Sequence, residues 1–72
     1  MMVTFEVVQN ANTPTIQVCC DDLGLEELIS ALHRLKQQGH VHLRSPSAGG
    51  KILSDKTSHG KEAISEVIIT LT

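Results

Sequence analysis

His40 and His42 stand two residues apart in the run Gly39-His40-Val41-His42-Leu43-Arg44-Ser45. On a strand, alternate residues share a face, so both imidazoles would project one way and Val41 and Leu43 the other. Two imidazoles placed like this could share one divalent cation, with His33, His59 or a carboxylate completing the set. The plainer reading makes them polar groups on the outer face of a sheet. His-x-His is weak evidence for a metal by itself. No Cys-x-x-Cys or His-Glu-x-x-His accompanies it, and the adjacent Cys19 and Cys20 have the wrong spacing for a zinc knuckle. The sheet-face reading is preferred. Metal binding through His40 and His42 stands as the alternative, and no cofactor is expected.

Other reactive patterns carry less. Gly49-Gly50-Lys51 lacks the earlier glycine and the following Ser or Thr of a phosphate-binding loop. No motif sets a histidine beside Cys19, and Asp21-Asp22 would raise a thiol pKa rather than lower it. The basic stretch from Arg34 to Lys61 has no aromatic residue for base stacking, and the chain is acidic as a whole, so a nucleic-acid partner is not expected. The expectation is a protein that is not an enzyme.

Seventy-two residues allow one small α+β domain spanning positions 1–72, with Phe5 as the single aromatic. A chain this short buries only ~60% of the surface that its unfolded form exposes, so a partner or a second copy is a plausible source of added stability. Adjacent cysteines point to opposite faces of a strand, which is poor disulfide geometry and fits a cytoplasmic protein with free thiols. No basic, apolar leader precedes Phe5, and no apolar run approaches the length of a membrane span. Charge is lopsided. Residues 1–32 hold five acids and no Lys or Arg, whereas residues 33–72 hold six bases and three acids. Part of that split complements a helix dipole, and the rest could steer a charged partner.

Apolar and polar residues alternate over Val3–Val7 and again over Thr15–Cys19, with the turn cluster Asn10-Ala11-Asn12-Thr13-Pro14 between them, which predicts a hairpin. Ile16, Val18 and Cys20 are expected to face the core. Asp21-Asp22 offers an N-cap, Glu26 and Glu27 fall near the first turn, and Gly39 suits a left-handed C-terminal position. The spacing of Leu25, Leu28, Ile29, Leu32 and Leu35 predicts a helix over about 23–38 with that stripe in the core. His40–Arg44 reads as a third strand. Lys51–Ser54 reads as a short strand or a loop, Asp55–Gly60 as a turn, and Ala63–Leu71 as a final strand apolar on both faces. That two-faced strand would be central in the sheet or covered by a second copy. The expected architecture is one amphipathic helix packed on an antiparallel sheet of three to five strands.

The sequence resembles the Immunity protein 32 family of bacteria over roughly residues 15–71. The resemblance rests on Gly39, His40, His42, Leu43, Ser45, Pro46, Gly49, Gly50 and Leu53, which follow a Leu-rich helix at fixed spacings. It implies an α+β fold and a small binding protein that neutralises a toxin by covering its site. Members of the family often carry an aromatic residue where this chain has Ala48, and a histidine where it has Glu66. On this view the contact residues are His40, His42, Arg44, Ser45 and Lys51, with Gly39, Pro46, Gly49 and Gly50 shaping the turn. The acidic helix start (Asp21, Asp22, Glu26, Glu27) is the alternative surface, suited to a basic nuclease.

Overall fold

The predicted hairpin forms, with Val3, Phe5 and Val7 opposite Cys20, Val18 and Ile16. In the computed structural model, which describes residues 1–56 and 63–72, β1 (Val3–Val7) pairs antiparallel with β2 (Ile16–Cys20). Helix α1 follows over Asp22–Gln38, then β3 (His40–Arg44), a short 3₁₀ turn at Pro46–Ala48, and β4 (Glu66–Thr70). β3 and β4 form a second antiparallel pair, with His42 opposite Ile68 and Arg44 opposite Glu66. The fold is α+β in the order ββα followed by two strands, but the described strands make two separate pairs and not one sheet of three to five. Lys51–Ser54 is irregular. It links the two pairs through the Leu53 N–H, which donates to the Arg44 carbonyl, and the Ser54 N–H, which donates to the Val3 carbonyl.

The helix begins and ends for the reasons its sequence gives. The Asp21 side chain accepts from the Gly24 N–H at 2.7 Å, and the Gly39 N–H closes the last turn on the Leu35 carbonyl. Its packing face is not the predicted one. Gly24 and Ala31 are buried and Leu28 and Leu35 are partly so, whereas Leu25, Ile29 and Leu32 remain 49%, 47% and 50% exposed. The reason is steric: Gly24 brings the helix against β1. A Cβ there would sit 2.7 Å from Val3 Cγ2 and closer still to the Met2 carbonyl oxygen. The helix therefore rolls its small residues inward, and part of the leucine stripe turns to solvent.

The core is correspondingly compact. Val3, Ala31, Leu43 and Leu53 are buried together, with Phe5, Cys20, Leu28, Ile52, Val67 and Ile69 packed around them. Ile16 and Val18, expected inside, are exposed; β2 is covered by neither the helix nor another described strand along that stretch. β1 is instead covered on both faces. Thr4 and Glu6 are buried, and the Thr4 hydroxyl donates to Glu6 Oε2 at 2.8 Å. The final strand is shorter than expected and pairs only with β3 among the described residues, so it is not central there. Much of the Asp55–Gly60 turn, with His59, lies outside the described residues. No helix among the described residues is long and apolar enough to cross a membrane.

Gly24 lies in the first turn of α1, where a glycine costs the helix little, so packing decides what its replacement does. Here the added methyl meets backbone, so Gly24→Ala should lose about 1–3 kcal/mol by urea denaturation, as overpacked sites do. A gain in stability would contradict the close approach.

Candidate functional site

β3 alternates as the histidine spacing requires. Val41 and Leu43 are buried while His40, His42 and Arg44 are exposed on the other face. The two imidazoles meet edge to face, with ring centroids 5.4 Å apart and planes at 81°. The antiparallel register sets Glu66 of β4 opposite Arg44, so its carboxylate lies between the strand's cation and His42. Arg44 Nε donates to Glu66 Oε2, and His42 Nδ1 lies 3.3 Å from the same oxygen. Arg44 Nη2 is also 3.2 Å from His42 Nδ1.

This geometry gives His42 two distinct hydrogen-bonding states. Nδ1 cannot accept from Arg44 and donate to Glu66 at once. With the proton on Nε2 alone, Nδ1 accepts from the guanidinium; with a proton on Nδ1, it donates to the carboxylate. Glu66 is held below the usual carboxylate range, first by the Arg44 hydrogen bond and then by that of His42. The surface therefore presents one guanidinium, one carboxylate and two imidazoles held against one another on paired strands.

The turn after β3 folds back on the patch. Ser45 is fully buried, so it is not the contact residue that the sequence indicated. Its carbonyl accepts from the Ala48 and Gly50 N–H groups, each at 2.9 Å, and its N–H donates to the Ser65 carbonyl. Ser45 Oγ lies 2.9 Å from Ser47 Oγ, which donates to Asp55 Oδ1 at 2.7 Å. That hydroxyl is the main reason the Asp55 carboxyl is lowered below its ordinary value. Gly50 approaches so closely that a Cβ would lie 2.5 Å from the Arg44 carbonyl oxygen. Pro46 opens the turn and Gly49 closes it, with the Gly49 N–H donating to the Pro46 carbonyl. Lys51 is exposed just beyond.

The remaining candidates separate. His33 is exposed on the helix, one residue beyond Leu32, and no group of three or more potential metal ligands gathers among the described residues. His59, named with it as a possible third ligand, lies outside the described residues. Cys19 and Cys20 are both free thiols. Burial and the neighbouring Glu6 carboxylate push the Cys19 thiol up, which opposes nucleophilic use. At the alternative surface Asp21 is already engaged. It caps the helix and lies 3.7 Å from the terminal amine, and the Met2 and Gly24 N–H groups depress its pKa. Asp22, Glu26 and Glu27 are exposed around it.

Glu66 is the site residue that sequence reasoning missed. It drew notice only as a departure from a family pattern, and the available signal was the strand register that sets it against Arg44. Compared with protein-family models, with curated proteins and with solved structures, the chain finds no match.

Glu66 should titrate below ordinary glutamates in an NMR pH series, and Arg44→Met should move its midpoint upward. A carboxylate with a depressed pKa stabilises the fold above its unfolded value and loses that contribution as pH falls through the folded one. Glu66→Gln should therefore flatten the acid limb of the melting curve. An unchanged limb together with an ordinary Glu66 midpoint would remove the ion pair from the account.

Proposed function

We propose that this chain is a non-enzymatic binding protein whose β3–β4 outer face docks onto a protein toxin and blocks it, as an immunity protein does. The observation that carries the reading is the cluster of His40, His42, Arg44 and Glu66, exposed and mutually held on two paired strands. The sequence resemblance supplies the class of partner, and the cluster supplies the surface. Arginine and imidazole groups fixed in advance lose little side-chain entropy on docking, which favours them as anchors. Lys51 is exposed just past the turn and adds a further cation to the proposed surface, and the Ser45–Gly50 turn holds the end of β3 in place. Charges of both signs set register and speed the encounter more than they add raw affinity. Action in the cytoplasm of a bacterium belongs to this same proposal.

The test is to express the product of the adjoining gene, ask whether it arrests growth and whether co-expression of this chain restores it, and then measure binding on the purified pair. The wild-type chain should restore growth. Arg44→Ala should weaken binding by about 10- to 100-fold, the range of an arginine anchor. Asp22→Ala and Glu26→Ala should each leave affinity within about threefold, since rim charges contribute little. Growth that is never restored, or affinity that depends on the helix acids and ignores Arg44, would overturn the assignment. The metal-binding alternative makes its own demand. Zinc would have to raise the melting temperature of the wild type and not that of the His40→Ala/His42→Ala chain.

A further inference from the structure

The leucines that the fold leaves outside make a continuous stripe. Leu25, Ile29 and Leu32 recur at three- and four-residue spacing and are each about half exposed. At ~100° per residue they lie about a quarter-turn round the helix from the buried face of Gly24, Leu28, Ala31 and Leu35. Ile29, Leu32, His33 and Lys36 line a shallow apolar depression along it. Three large aliphatic residues in one row are more than scattered surface apolarity, and such rows mark contact faces.

The charges at the ends of the stripe choose its occupant. Asp22 begins it and Lys36 ends it, and Ile29 lies seven residues from each. Glu26 flanks the acidic end and His33 the basic end, both exposed. A row that is negative at one end, apolar in the middle and positive at the other complements a copy of itself turned end for end. If two helices cross antiparallel with Ile29 on the axis, Asp22 of each faces Lys36 of the other. Leu25 and Leu32 then pack on either side of the central isoleucines. A two-fold interface must be self-complementary in this sense, and an unrelated partner imposes no such symmetry on the stripe.

From this antisymmetry we infer that the chain forms a two-fold homodimer through the exposed Leu25–Ile29–Leu32 stripe of α1, with Asp22 and Lys36 paired across it. A single helix seam of about four turns buries less than the ~800 Å² per partner of a standard interface, so the dimer is of moderate affinity and depends on protomer concentration. The inward-facing Val41 and Leu43 put the helix on the side of β3 opposite its histidines, so the His40–Arg44 face stays open in each protomer. Dimerisation is thus independent of whether that face binds a toxin.

Sedimentation equilibrium over a wide concentration range, at low salt, tests the inference. The wild type should pass from 7.8 kDa to twice that mass. Ile29→Glu sets like charges against each other on the axis and should weaken association at least ~10-fold, with the circular dichroism of the fold retained. Asp22→Lys and Lys36→Glu should each weaken self-association, because each places like charges at both ends of the seam. An equimolar mixture of those two chains should recover dimers, since opposite charges then face each other at both ends. A wild type that stays at monomer mass overturns the proposal and leaves the stripe to a different partner. Dimers indifferent to Ile29→Glu, or a mixture that recovers nothing, overturn it equally.

Discussion

The close approach of α1 to β1 is the constraint from which the remaining geometry follows. Gly24 allows helix backbone to lie against Met2 and Val3, and Ala31 lets the next turns settle over Leu43. Dispersion and burial at this contact are short-ranged, so a single methyl at the contact point changes the helix position. With the helix held there, Val41 and Leu43 are drawn inward and their neighbours His40, His42 and Arg44 are forced out. The chemical face of β3 is thus a consequence of packing on its other side.

The same constraint accounts for what the molecule leaves uncovered. A helix seated on glycine and alanine buries less aliphatic surface than one seated on leucine. Leu25, Ile29 and Leu32 are left half in solvent, and the hairpin residues Val7, Ile16 and Val18 also stay outside. A domain of this size has little stability to spare, and covering exposed aliphatic surface by self-association is a common remedy. The two surfaces have different chemistry. The strand face is charged and internally hydrogen-bonded, whereas the helix stripe is apolar with a charge at each end.

Local rules read much of this from the sequence. Asp21 as the cap, Gly39 as the helix end and the alternation within Val3–Val7 and His40–Arg44 each depend on a few neighbouring residues. What failed was long-range. The leucine stripe looked like core because periodicity reports that a helix is amphipathic but not which part of its apolar arc another element covers. The burial of Glu6 and Ser45 was hidden for the same reason: each has a polar partner two residues away, but what covers the pair comes from elsewhere in the chain. For Ser45 the partner is Ser47, itself bound to Asp55 eight residues on. The pairing of Arg44 with Glu66 spans 22 residues of chain and required the β3–β4 register before it could be seen.

The central claim, that the imidazole-bearing strand face is where another protein docks, is tested most directly by amide chemical-shift mapping. The labelled chain would be titrated with the product of the gene adjoining its own, as the candidate partner. The account predicts that shifts and line broadening gather at residues 40–51 and 66–70, while the α1 stripe changes little. Perturbation centred on the helix start, with the β3 and β4 amides unmoved, would contradict it.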